Sequence, residues 1–344
     1  MDLPYLTADL AGIGGVLRTN ADDFRVDEDP AYPPSGAGDH IFVRIEKREL
    51  TTPQAVDAIA RALGVAARDI GVAGMKDRHA VTTQWLSLPP PITPEAATAL
   101  ELDNLRVLEA VRHGHKLRTG HVRGNRFVLR VRGVEAGAAE RARAILDRLA
   151  EAPGAPNWFG EQRFGNAGDN AARGRELVTG ARGAGRDRRL NRLLVSALQS
   201  ELFNAWLVAR LADGLYRTAI AGDLMHKRSG GMFACEDPAV DGARVAAGEV
   251  VPTGPMFGDR MRGPTVGSPA ADREAAILAA GGLARDSFAS VRAIAEGTRR
   301  DAAIEVTGTA VTEVGSDGQT IEVAFALPGG AYATAVMREV MKLG

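Results

Sequence analysis

The segment Gly74-Met75-Lys76-Asp77-Arg78-His79 sets one carboxylate among cations, a combination of residue types that could do chemistry. An isolated Asp titrates near ~3.9, and adjacent Lys76, Arg78 and His79 favour its ionised form further. Asp77 is therefore available at neutral pH as a nucleophile or base, with no metal required. Gly, Lys and Asp are also ordinary turn residues, so the same stretch reads as an exposed turn as well.

A second cluster runs from Arg112 to Arg132. It holds Arg112, His113, His115, Lys116, Arg118, His121, Arg123, Arg126, Arg130 and Arg132, with no Asp or Glu. Within it, Gly124-Asn125-Arg126-Phe127 adds an amide that can bond a base edge and a ring that can stack. The stretch reads as a nucleic-acid surface, or as a solvated face in an arginine-rich chain. In a third cluster, Arg182, Arg186, Arg188, Arg189 and Arg192 surround the start of a long helix. Cations there oppose the macrodipole by about 0.3–1 kcal/mol each, so phosphate binding, aided by the helix N–H groups, explains them better.

These groups need elements to hold them. GVLRTNADDFRVDE (Gly15 to Glu28), HIFVRIEKR (His40 to Arg48), VTTQWLSL (Val81 to Leu88) and RFVLRVRG (Arg126 to Gly133) read as strands, as does the short DIGVAG (Asp69 to Gly74). Thr52-Pro53 opens a helix with Thr52 as its cap, apolar Val56, Ile59, Ala60 and Leu63 on one face, and Gly64 as stop. Asp77 thus lies between two apolar strands. A helix follows from about Ala136 to Ala150, and Ala152-Pro153-Gly154-Ala155-Pro156 marks a junction. Beyond it come a long helix from Arg188 to Asp213, a Gly- and Pro-rich stretch, two strands around GSDG, and a terminal helix in YATAVMREVMK.

At 344 residues, 45% hydrophobic and 25% charged, the chain describes a globular protein of about two domains. No stretch approaches the roughly 20 apolar residues of a membrane helix, and the opening MDLPYLTADLAGIGG lacks a signal pattern. A cytoplasmic protein without membrane contact is expected. Formal net charge is −1, so bulk charge points to no acidic partner, and only five of the 42 basic residues are lysine. Cys235 is the single cysteine and excludes an internal disulfide. Phosphate-loop and dinucleotide motifs are missing, G-x-S-x-G is missing, and His113, His115 and His121 read as polar surface more than as metal ligands.

AGMKDRHAVTTQW (Ala73 to Trp85) resembles the catalytic segment of the TruD-type tRNA pseudouridine synthases, in which the Asp after Lys is the nucleophile. NADDFRVDE, GNRF, PNWFGEQRFG, RRLNRLLVSALQSELFNAWL and LPGGAYATAVMREV match further segments in the family's order. The resemblance spans nearly the whole chain and is faintest from about Gly214 to Arg300. It implies an α+β fold: a pseudouridine synthase catalytic domain with a mixed, largely antiparallel sheet, interrupted by an inserted α/β TRUD domain. The catalytic domain would occupy residues 1–152 and 302–344 and the insertion 153–301, with a basic cleft between them.

The resemblance further implies Asp77 as catalytic residue with Arg18 of GVLRTN paired to it. Phe24, Asn125, Phe127, Tyr332 and Lys76 would be substrate-binding, Tyr332 standing where the family pattern suggests Phe. Arg112, Lys116, Arg118, Arg123, Arg126, Arg182, Arg186, Arg188 and Arg189 would contact RNA. The implied activity is isomerisation of a uridine in tRNA, by family precedent uridine 13, in a monomer using no cofactor and no metal. The residues themselves also admit a non-catalytic RNA-binding or remodelling protein, or a carboxylate-dependent nucleoside hydrolase with Glu28 or Glu161 as second acid.

Overall fold

Ile41, Val43 and Ile45 share one phase of the strand His40–Arg48 and are buried against Ala55, Ile59 and Ala60 of the helix Thr52–Leu63. Burying such side chains stabilises by about 1.5–3 kcal/mol each, which fixes the helix on that face of the sheet. The computed structural model describes residues 3–165, 167–181, 183, 185–315 and 318–343. It divides into two units, one of them made of Leu10–Asp147, Val306–Ala333 and Val340–Gly344.

The sheet of this unit has, among the described residues, nine strands. Its central path runs Thr307–Glu313, Thr320–Pro328, Val122–Val134, Phe24–Pro30, Val81–Leu88, His40–Arg48 and Leu105–His113, with Gly14–Leu17 beside Val122–Val134 and Gly71–Val72 beside Val81–Leu88. Every pairing is antiparallel except Phe24–Pro30 with Val81–Leu88. The sheet is thus mixed and largely antiparallel. Gly71 is required by close approach: a Cβ there would stand 2.4 Å from both the Leu117 carbonyl and Ser87 Oγ.

Two local expectations are corrected. GVLRTNADDFRVDE is not one strand, because Arg18 turns to φ 62° and a 3-10 turn at Ala21–Asp23, held by an Asn20–Asp23 capping box, separates Gly14–Leu17 from Phe24–Pro30. The helix cap is Thr51 rather than Thr52: Thr51 exchanges bonds with Gln54, and Thr52 is buried in the first turn. The strand Leu105–His113 is an element that the sequence pattern did not announce.

The other unit comprises Met1–Asp9, Arg148–Glu305 and Thr334–Glu339. Its helix Arg188–Ala212 buries Leu194, Leu198, Leu202 and Phe203, and an antiparallel sheet orders Met232–Ala234, Leu224–Lys227, Val250–Met256 and Thr298–Asp301. At its centre the fully buried Arg210 donates to both oxygens of Asp223 at 3.0 and 2.7 Å.

Candidate active site

Asp77 lies in the connection between Gly71–Val72 and Val81–Leu88, and neighbouring elements hold this connection at several points. Gly120 N–H donates to the Ala73 carbonyl at 2.8 Å, and Lys76 N–H donates to Thr52 Oγ1 at 2.9 Å. The Thr52 hydroxyl donates in turn to Gln84 Oε1 at 2.9 Å, so the helix start links the loop to the strand behind it. Lys47 Nζ donates to the Asp77 carbonyl at 2.8 Å and to the Leu50 carbonyl at 2.5 Å. Lys47 is wholly buried, and burial pushes its ammonium down to about 8 although the nearby Asp77 carboxylate works the other way.

The Asp77 side chain itself remains 55% exposed while its Oδ2 accepts from Arg18 Nη2 at 2.6 Å. Left-handed backbone is uncommon for a non-glycine residue and costs on the order of 1 kcal/mol. Arg18 nevertheless adopts it, and its guanidinium carbon lies 4.0 Å from the centroid of Phe24. The guanidinium therefore rests on a ring and faces a carboxylate, an arrangement that defines the direction of the carboxylate. The expectation that Lys76 and Arg78 flank Asp77 is corrected. Lys76 Nζ donates to the buried Glu28 at 2.5 Å, and Arg78 Nε reaches the Glu49 carbonyl at 3.4 Å. Adjacency in sequence put the cations on either side of Asp77, but successive side chains in an extended loop diverge.

Glu28 also accepts from Trp85 N–H at 2.9 Å, so both of its oxygens are engaged and it is not a free second acid. Asn125 is the Cα partner of Glu28 on the adjoining strand, which sends both side chains to the same face. Asn125 Oδ1 is buried and has no bonding partner among the described residues. Phe24 and Phe127 are buried, at 6.4 Å edge to face, and Phe127 packs on Phe325 at 5.5 Å. In this conformation neither is an open stacking platform: Phe24 carries the Arg18 guanidinium instead. Tyr332 is 51% exposed just ahead of the helix Ala333–Met341. The strand leading to it pairs Leu327 with Asn125, so it leaves the sheet beside that residue.

The basic stretch from Arg112 to Arg132 does not form one surface. Strand alternation sends Arg126, Arg130 and Arg132 to the face opposite Asn125 and Phe127. Acids from other segments pair several of these cations: Asp23 holds Arg132 at 2.8 Å, Glu322 holds Arg130 at 3.4 Å, and Asp29 lies 3.6 Å from Arg123. Arg112 reaches the Gly38 carbonyl and Lys116 the Arg68 carbonyl. Arg118 and Arg126 are exposed and carry no ion pair among the described residues. Arg186, Arg188 and Arg189 are exposed at the start of the long helix, and Arg182 lies outside the described residues. The free N–H groups expected at that helix start are partly occupied, because Asp187 caps it and accepts from Arg189 and Leu190 N–H.

The histidines also depart from a purely polar surface. His113 is buried, stacks on Tyr32 at 5.6 Å, lies 4.0 Å from the Phe42 ring and accepts from Ser35 N–H. Burial, ahead of repulsion from His115 and His40, holds its imidazolium below the usual histidine value.

Lys47 and Thr52 were not singled out as site residues by sequence. The signal for Lys47 is its phase: it follows Ile41, Val43 and Ile45 at every second place, an inward position where a lysine needs partners.

The candidate site is thus an exposed carboxylate held by arginine on an anchored loop beside a mixed, largely antiparallel sheet. The family profile described as tRNA pseudouridine synthase D (TruD) matches residues 1–184 and 185–340. A tRNA pseudouridine synthase D of Anaeromyxobacter dehalogenans is 56% identical over 347 residues, covering 99% of this chain and 97% of that relative. One from Thermus thermophilus is 41% identical over 341 residues, covering 99% and 92%. A crystal structure from Methanosarcina mazei, described as a candidate TruD, superimposes with TM-score 0.82 at 23% identity, covering 100% and 99% of the two chains, and so shares the fold. The chain belongs to the tRNA pseudouridine synthase D family.

Proposed function

We propose that this protein isomerises a uridine of tRNA to pseudouridine, with uridine 13 as target and Asp77 as nucleophile. The observation that carries the reading is the 2.6 Å pairing of the half-exposed Asp77 carboxylate with Arg18, in a chain of this family. A carboxylate so held has one oxygen fixed by the guanidinium, and its exposed oxygen is open to a nucleoside. Asp77 attacks either the sugar carbon, displacing uracil, or the ring, adding to it. On both routes the bond from N1 to C1′ breaks, the base turns, C5 bonds to C1′, the bond to Asp77 breaks to return the carboxylate, N1 takes up a proton and the proton on C5 leaves.

The catalytic role is assigned to residues 1–152 and 302–344 and the inserted domain to residues 153–301. Asp77 lies in the unit Leu10–Asp147, Val306–Ala333 and Val340–Gly344, which covers most but not all of the assigned catalytic residues. A uridine in folded RNA must leave its stack, at a cost of a few kcal/mol, and stacking at about 1–3 kcal/mol per base offsets this. Tyr332 is the exposed ring suited to that contact. Asn125 offers its unpartnered amide oxygen to the base edge, and Phe24 and Phe127 support from beneath. Lys76 acts through Glu28, and the exposed arginines bind phosphate.

The test uses unmodified tRNA with the parent protein and Asp77→Asn. The variant keeps the size and loses the charge, so turnover should vanish while tRNA affinity stays within about twofold. Pseudouridine formed by Asp77→Asn at the parental rate overturns the assignment. Free uracil from the parent protein would indicate a hydrolase instead, and binding without either product a remodelling protein.

A further inference from the structure

Behind the candidate nucleophile stands a charged side chain that the reaction scheme leaves unused. Lys47 lies on the inward phase of the strand His40–Arg48, wholly buried, and its ammonium donates to the main-chain carbonyl of Asp77 and to that of Leu50. Its neighbours Glu46 and Arg48 point to the other face, where they meet Arg106 and Asp22. The charged groups facing it are Asp77 and Lys76, both from the loop. Burying an ammonium carries a large desolvation cost, so its place here is not explained by packing alone.

We propose that Lys47 is a positioning residue for the reaction, clamping the main chain of Asp77 so that its carboxylate meets Arg18 and the nucleoside in one geometry. This rests on the reading of Asp77 as nucleophile. The clamp is charge-assisted, and such bonds are roughly twice as strong as neutral ones. An amine that has lost its proton still donates to both carbonyls but holds them less firmly. Burial brings that loss down to about 8, within reach of ordinary assays.

The experiment measures kcat and KM on unmodified tRNA from about pH 7 to about pH 9.5 for the parent, Lys47→Met, Lys47→Arg and Asp77→Asn. Lys47→Met should lower kcat about tenfold or more with KM within about twofold, because tRNA binding does not pass through this side chain. The parent kcat should fall severalfold above about pH 8, and the fall should be missing from Lys47→Met. Lys47→Arg, which keeps its charge across the range, should recover part of kcat and also lose the fall. A kcat for Lys47→Met within twofold of the parent overturns the clamp, as does an alkaline fall identical in parent and Lys47→Met. Should Lys47→Met fail to melt cooperatively, a flat parent profile overturns it equally. Asp77→Asn separates the two readings. Its full activity sinks the nucleophile assignment, whereas an inactive Asp77→Asn beside a fully active Lys47→Met sinks the clamp alone.

Discussion

Arg18 and Lys47 hold Asp77 through two different groups, side chain and main chain. Arg18 meets the carboxylate and Lys47 meets the carbonyl of the same residue, at 2.6 and 2.8 Å. Lys47 also ties stability to pH, with a sign opposite to that of its proposed effect on turnover. Its folded value is about 8 against an ordinary 10.5, so between these the unfolded chain binds a proton that the folded chain does not. Stability from this group therefore rises with pH across that window. Urea unfolding of the parent should show this rise relative to Lys47→Met, and parallel curves for the two would contradict it.

At the scale of elements, the junction between the helix Thr52–Leu63 and the strand Val81–Leu88 governs the loop. A one-residue shift of the cap from Thr52 to Thr51 frees the Thr52 hydroxyl to accept from Lys76 N–H and to donate to Gln84. Thr52→Val keeps the shape and leaves the buried Gln84 Oε1 and the part-buried Lys76 N–H without this partner, at up to about 1–3 kcal/mol each. The melting temperature should drop by several degrees, and kcat should fall with it as the loop loosens. Thr51→Ala removes the cap alone, at about 1 kcal/mol, and should leave kcat near the parental value. Equal kinetic losses in both variants would refute this division.

Across the whole molecule, 42 basic and 43 acidic residues nearly cancel, so RNA affinity depends on which cations remain unpaired. Arg132 is bound to a carboxylate of Asp23 that is itself buried, whereas Arg118 and Arg126 stand free among the described residues. Binding of tRNA should weaken steeply with salt, and each free arginine replaced by Ala should lower the logarithmic slope by about one. Arg126→Ala should thus weaken binding at an unchanged melting temperature. Arg132→Ala should instead strand Asp23 and lower the melting temperature with little effect on the salt slope. A flat salt response, or the reverse pattern in the two variants, would refute the phosphate role.

What the sequence by itself determined is local and periodic. Alternation in HIFVRIEKR and VTTQWLSL, the apolar face ending at Gly64, and the long helix from Arg188 were legible because a side chain's face follows from its own position in a repeat. The motif around Asp77 and the position of Arg18 were legible through the family's pattern. Partnership was decided by tertiary structure. Lys76, next to Asp77 in sequence, bonds Glu28, while Arg18 arrives from 59 residues away. The acid-free stretch from Arg112 to Arg132 acquires Asp23 and Glu322 across neighbouring strands. Coulomb and hydrogen-bond energies depend on distance in space, and that distance exists only once strand register has been set.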